Sequence, residues 1–110
     1  MNKYRVGRQI RCSANLKDFV DADYEPTSTG RVVFSLWAPG DADASPSVTK
    51  TWLAAGGGDA ELIRDSLGDW HILYTILAAG DHRYRFQAYS GTVSAANSIE
   101  VDERYFTAVA

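Results

Sequence analysis

The sequence contains a single cysteine, Cys12, and no run of apolar residues long enough to span a bilayer. One cysteine excludes a disulfide within the chain, and its place in an alternating run predicts a small buried side chain. A lone thiol is typical of a protein that assembles in a reducing cytosol. No apolar stretch follows the charged residues at the N-terminus, so we expect no secretory signal.

Charge of neither sign dominates. The 11 lysines and arginines and 14 aspartates and glutamates give a formal charge of −3 over 110 residues, a length that predicts one domain. A weakly acidic chain is not expected to bind nucleic acid, which requires clustered cations. Residues 1–17 nevertheless hold several cations and no acid. This basic segment suits either an acidic partner surface or a solvated edge strand.

The residues that usually carry catalysis do not form a recognisable set. His71 and His82 lie on different predicted strands without a third ligand, so we interpret them as surface histidines. The acids that begin at Asp21 do not fit a calcium-binding loop, because Pro26 and Val32 stand where that loop needs glycine and glutamate. We therefore expect no enzyme activity, no metal and no cofactor.

Short alternations of apolar and polar residues, separated by turn residues, run through the whole chain. In the clearest one, Val32, Phe34 and Leu36 alternate with Val33, Ser35 and Trp37, the pattern of a strand with one buried face. Comparable patterns predict strands over residues 4–14, 31–38, 48–53, 60–64, 70–77, 82–89 and 93–101.

These strands predict an all-β fold, a single immunoglobulin-like antiparallel β-sandwich of about seven strands. We place this domain over residues 1–103 and treat residues 104–110 as a C-terminal tail that is a candidate docking segment. The residues expected to fill the core are Val32, Phe34, Leu36, Ile72, Tyr84 and Phe86.

Several aromatic residues and arginines are candidates for contacts with other molecules. Trp37 is predicted on the face opposite to Phe34, and Tyr105 and Phe106 follow the last predicted strand, where they are free to reach a neighbour. Two alternatives remain. Either Trp37 or Trp52 fills the core or stacks on a sugar. Tyr105 and Phe106 fold back on their own domain. The candidate interface consists of Arg5, Arg8, Arg11, Trp37, Trp52, Tyr105 and Phe106.

Six motifs follow one another in order along most of the chain. They are a Tyr-x-Val-Gly strand, an alternating strand, an acidic stretch ending in Pro-Thr, a strand closed by proline and glycine, a charged turn before an aromatic strand, and a Gly-x-x-x-Tyr-x-Phe strand. In this sequence they are residues 4–7, 10–14, 25–27, 32–40, 64–70 and 80–86.

This order of motifs resembles the small immunoglobulin-like virion structural proteins that tailed bacteriophages and prophages encode in their head and head–tail joining regions. The resemblance implies a non-enzymatic protein, made in the bacterial cytoplasm and assembled in multiple homo-oligomeric copies at the capsid surface or the head–tail joint. Its implied partners are capsid or neck (connector) proteins, not nucleic acid or membrane. The alternative is a carbohydrate-binding or adhesion module on the virion surface.

Overall fold

Eight β-strands and one short 3₁₀ helix are present in the described part of this computed structural model, residues 2–18, 22–26 and 29–110. No helix in these ranges is long and apolar enough to cross a membrane. The helix, Ala95–Asn97, precedes the last strand. The strands are β1 (Asn2–Arg5), β2 (Gln9–Asn15), β3 (Arg31–Trp37), β4 (Val48–Leu53), β5 (Ile63–Ser66), β6 (Asp69–Thr75), β7 (Gly80–Tyr89) and β8 (Ser98–Val109).

The strands form two sheets that pack against each other. A five-stranded sheet has the order β1-β8-β7-β3-β4, and a three-stranded sheet has the order β2-β6-β5. All neighbours are antiparallel except β1, which runs parallel to the end of β8. The connections after β2, β4 and β6 each cross between the sheets, as in an immunoglobulin-like sandwich. The predicted fold class is therefore confirmed.

The core lies between the two sheets and is filled by alternate residues of their strands. All six predicted core residues are buried, and the rings of Phe34 and Phe86, which are cross-strand partners, have centroids 5.0 Å apart. The three-stranded sheet contributes Cys12, Trp70 and Ile72. Because side chains alternate across a strand with a period of two, the apolar alternation identified the buried face correctly.

The N-terminal segment differs from the single strand predicted over residues 4–14. It turns at Gly7, whose φ of +91° lies in the left-handed region that glycine adopts without strain. As a result, β1 and β2 belong to different sheets. Tyr4 packs edge-on against Phe106 of the five-stranded sheet, whereas Ile10 enters the core from the three-stranded sheet. The turn at Gly7 is therefore where the chain passes from one sheet to the other.

The C-terminal segment also differs from the prediction. β8 continues to Val109 and pairs with β7 as far as Ala108, so residues 104–109 are a strand and not a tail. Phe106 is buried because it faces the core from this strand. Residues 104–109 therefore belong to the domain, and residue 103 is not its boundary.

Two other strands are displaced by a few residues. β5 covers residues 63–66 instead of 60–64, and β8 begins at residue 98 instead of 93. Both shifts occur beside turns rich in small residues, where composition does not define the first paired residue.

Candidate functional site

The side of the five-stranded sheet that faces away from the core, which we call the outer face, carries the most closely arranged predicted contact residues. Trp37 on β3, Arg83 on β7 and Tyr105 on β8 are cross-strand partners and form one row. Arg85 and Glu103 form part of the next row. Because cross-strand neighbours on one face stand roughly 5 Å apart, these side chains make a continuous surface.

Trp37 lies on the outer face, as predicted, but it is not exposed. Only 6% of the residue is accessible. The guanidinium carbons of Arg83 and Arg85 lie 4.0 and 5.0 Å from its ring centroid, and its indole Nε1 donates a hydrogen bond to the Asp43 carbonyl at 3.0 Å. The prediction that Trp37 offers free apolar surface is therefore wrong, because arginine side chains and a loop cover it.

The loop between β3 and β4 covers Trp37 because its own polar groups hold it in place. The Asp41 carboxylate accepts hydrogen bonds from the Ala38 N–H at 2.9 Å and from the Ser47 hydroxyl. Both bonds lower the pKa of Asp41, and the bond from Ser47 has the larger effect. Further along the loop, Asp43 forms an ion pair with Arg83 at 2.7 Å.

Tyr105 and Phe106 point to opposite sides of β8, so they do not act as a pair. Tyr105 is 56% exposed on the outer face, where it lines a cleft of about 370 Å³ and donates its hydroxyl to Glu103 at 2.9 Å. Phe106 is 2% exposed and stacks on the His82 ring at a centroid distance of 4.5 Å. Of the two predicted contact residues, Phe106 folds back on its own domain and Tyr105 remains at the surface.

The three predicted interface arginines do not form one row. Arg11 lies on β2 in the three-stranded sheet and pairs with a carboxylate of β5 at 3.0 Å. Arg5 Nη1 donates to the Ala110 carbonyl at 3.4 Å, and the Arg8 guanidinium carbon lies 5.3 Å from the ring centroid of Tyr4. The turn after β1 therefore keeps Arg5 and Arg8 together and separates Arg11 from them.

Trp52 combines a core contact with a partly open edge. It lies edge-on to the buried Trp70, with ring centroids 6.1 Å apart, and packs against the core. Its remaining surface lines a cleft of about 350 Å³ beside the glycine loop of residues 56–58, where the Arg64 guanidinium carbon is 5.9 Å from its ring centroid. Trp52 is thus the predicted interface tryptophan with a route to solvent.

The two histidines have different environments. His71 Nδ1 lies 2.8 Å from both carboxylate oxygens of Asp65. His82 is buried, contrary to the prediction of a surface residue, because it occupies the same face of β7 as Tyr84; its Nδ1 donates to the Gly80 carbonyl at 3.0 Å. Neither contact joins a nucleophile to a base, the arrangement on which covalent catalysis depends.

Acids of the long connection after β2 bond to the protein's own cations and amides. Asp23 accepts a hydrogen bond from Lys17 at 2.6 Å, and that bond is the largest influence lowering the pKa of Asp23. Asp21, where the calcium-loop pattern begins, and Thr27 of the Pro-Thr motif lie outside the described residues. Within the described ranges, no three histidine, cysteine, aspartate or glutamate residues are grouped so that they could hold a metal ion.

Comparison with known proteins indicates a fold and no family. No protein-family model and no curated protein matches the chain. The structure is similar to that of a putative glycoside hydrolase from Bacteroides vulgatus, with 14% sequence identity and a TM-score of 0.50. The likeness is one of fold. It covers 99% of this chain but only 16% of that protein, so it carries no activity over to this domain.

Glu103 is the main carboxylate of the outer face. Its Oε1 accepts two hydrogen bonds from Arg85, at 2.8 and 3.1 Å, and lies 3.6 Å from Arg83. Partial burial acts to raise the pKa of Glu103, but hydrogen bonds from Arg85 and Tyr105 and the adjacent positive charges outweigh it. The pKa of Glu103 therefore lies below its ordinary value.

Glu103→Gln is expected to lower the free energy of unfolding by about 0.5–1 kcal/mol at neutral pH. Because the pKa of Glu103 is lower in the folded chain, its ionised form stabilises the protein above the unfolded value near 4.5, and this contribution is lost as the pH falls through the folded value. Urea titrations should show a difference from wild type at about pH 7 that shrinks as the pH falls below about 4.5. Glu100→Gln, on the same strand, is the control; an equal pH dependence there would contradict the assignment.

One group of exposed apolar residues was not among the predicted contact residues. Val6, Leu77 and Val109 are exposed at one end of the sandwich. They lie in or beside turns or at a strand end, where alternation does not distinguish buried from exposed positions. The signal present in the sequence was Leu77, which directly follows the buried Ile76 and precedes two alanines in the connection between β6 and β7.

Proposed function

We propose that this domain is a non-enzymatic structural protein of a tailed-bacteriophage virion. It is made in the bacterial cytoplasm and assembled in multiple copies at the capsid surface or the head–tail joint. It acts through protein–protein contacts with capsid or connector proteins, and it uses no cofactor.

The position of the shared motif residues carries this proposal. Gly7, Gly40, Gly68 and Gly80 have φ values between +79° and +123°, and each lies at or beside a turn that joins strands. At Gly68, an added Cβ would lie 3.0 Å from the carbonyl oxygen of Leu16. The motifs thus build the sandwich and do not surround a reactive group, as expected for proteins that share a scaffold and act by docking.

Purified particles of the phage or induced prophage that encodes the chain are expected to contain the protein in multiple copies. Quantitative mass spectrometry of gradient-purified particles would give the copy number, and gold-labelled antibody would distinguish the capsid surface from the head–tail joint. Protein that is abundant in the infected cell but missing from the particles would contradict the proposal. A phage protein of the infected cell that is known to stay outside the virion is the control for contamination.

A carbohydrate-binding module is the second candidate, favoured by the cleft beside Trp52. The half-buried indole edge, the glycine loop and Arg64 surround a space of about 350 Å³. Trp37 does not serve this function, because Arg83 and Arg85 cover its ring. Reproducible binding of the purified domain to a glycan array, reduced in Trp52→Phe and retained in Tyr105→Phe, would favour this candidate over the structural role.

A further inference from the structure

One end of the sandwich brings together the β1–β2 turn, the β6–β7 connection and the end of β8. The Val6 N–H donates to the Val109 carbonyl at 2.9 Å, and the Gly7 N–H donates to the Ile76 carbonyl at 2.8 Å. Val6, Leu77 and Val109 are therefore neighbours at this end, and they are 39%, 78% and 41% exposed. We call these three residues the apolar tip.

Three cations near the apolar tip have no aspartate or glutamate partner among the described residues. Within the described ranges, Lys3, Arg5 and Arg8 have no aspartate or glutamate oxygen within 4.0 Å. The arginines of the outer face, in contrast, pair with Glu103. Arg5 donates to the main-chain oxygen of Ala110, and Arg8 lies over the Tyr4 ring. Since the whole chain carries a formal charge of −3, three cations without a described acidic side chain beside them are a local reversal of its overall charge.

We propose that the apolar tip and the three cations near it dock onto an acidic surface of a neighbouring virion protein, one that has an apolar depression bordered by carboxylates. This inference rests on the proposed function and names the surface and the partner chemistry through which it operates. Burial of Leu77 supplies affinity, because removing an exposed leucine side chain from water is favourable. Lys3, Arg5 and Arg8 supply orientation and faster association with an acidic partner.

The same charges argue against a symmetric pair of tips from two copies of this chain. A two-fold contact through this end would place the unpaired cations of one copy near those of the other, and like charges across an interface are unfavourable. The partner surface must therefore supply carboxylates, which the apolar tip itself lacks.

The test measures binding of the purified, fluorescently labelled protein to particles assembled without it. Leu77→Ser should weaken binding about 10- to 100-fold, from the loss of the leucine contact. The double variant Arg5→Glu/Arg8→Glu should weaken binding at least about tenfold at about 0.05 M NaCl, and this difference should shrink at about 0.5 M NaCl, where salt screens exposed charges.

Matched controls lie away from the apolar tip. Leu67→Ser removes an exposed leucine in the β5–β6 turn, and Lys50→Glu/Arg104→Glu makes the same change in charge elsewhere on the surface. Both controls should bind as the wild type does, and thermal melts should show that all variants are folded.

The outcomes separate this inference from the proposed function. Native particles that contain the protein support the virion role. If, in addition, Leu77→Ser and Arg5→Glu/Arg8→Glu bind like the wild type, or if the wild type itself does not bind, the proposed docking surface is wrong while the virion role stands. If native particles lack the protein, the proposed function itself fails. If sedimentation velocity shows wild-type self-association that Leu77→Ser abolishes, the occupant is a second copy and the acidic partner is overturned.

Discussion

Replacement of Phe86 by alanine is expected to lower the free energy of unfolding by about 3–5 kcal/mol. Phe86 is fully buried between the sheets, and its ring centroid is 5.0 Å from that of Phe34 and 6.0 Å from that of Tyr84. Alanine would leave a cavity that the paired strands β3 and β7 cannot close without losing their register. Phe34→Ala should have an effect of similar size, and urea titration followed by circular dichroism measures both.

Leu73→Ala is the control for these two variants. Leu73 is 53% exposed on β6, on the side of the three-stranded sheet that faces away from the core. Its replacement should change the free energy of unfolding by no more than about 0.5 kcal/mol. A loss below about 1 kcal/mol at both phenylalanines would mean that the wrong face of the five-stranded sheet has been assigned to the core.

Cys12 is expected to react with thiol reagents about a thousandfold more slowly in the folded protein than in the unfolded chain at mildly alkaline pH. Burial raises the pKa of the Cys12 thiol from the ordinary 9.0 to about 12, and the side chain is fully buried. Three pKa units reduce the thiolate fraction by about a factor of a thousand, and the thiolate is the species that reacts. A disulfide reagent with a coloured product would measure both rates.

A neighbouring position provides the control for Cys12. In the variant Cys12→Ala/Ser13→Cys, the only thiol lies one residue further along β2, on the side that faces away from the core and is partly exposed. This thiol should react in the folded protein at close to the rate of an unfolded chain. If wild-type Cys12 reacted within about tenfold of its unfolded rate, either the burial or the raised pKa of the thiol would be wrong.

The strands that sequence reasoning predicted most accurately are those with one apolar and one polar face. In β3 and β7, alternate apolar residues face the core and are buried: Val32, Phe34, Leu36, Tyr84, Phe86 and Ala88. The strand over residues 48–53 was predicted with its exact bounds because proline and glycine residues mark the loops on either side. Period and turn composition are local properties, so a single sequence contains them.

The errors arose where distant parts of the chain decide the structure. Nothing near residue 104 indicates that β7 is long enough to pair with a strand as far as Ala108. Likewise, the burial of Trp37 depends on arginines of β7, which lie more than 40 residues away in the sequence. His82 appeared polar and exposed, but the stacked ring of Phe106 makes its position apolar. The pairing of β8 and the burial of Trp37 and His82 depend on residues that are distant in the sequence, so the local sequence pattern does not reveal them.

The candidate interface was predicted only in part, for the same reason. Trp37 and Phe106 are buried within the domain, whereas Arg5, Arg8, Arg11 and Tyr105 remain exposed. Residue type alone did not separate Trp37 and Phe106 from Tyr105, because aromatic residues are as useful inside a sandwich as at its surface.

The parallel pairing of β1 with the end of β8 decides how the domain carries a mechanical load. Asn2 lies beside Phe106, and Arg5 lies beside Val109. A pull on the start of β1 and an opposite pull on the end of β8 therefore act along the two strands in shear. In this direction the backbone hydrogen bonds of the pair share the force at once, whereas a pull across the strands would open them one at a time. When β1 and β8 are pulled in opposite directions, the force therefore acts along the direction in which a pair of strands is hardest to separate.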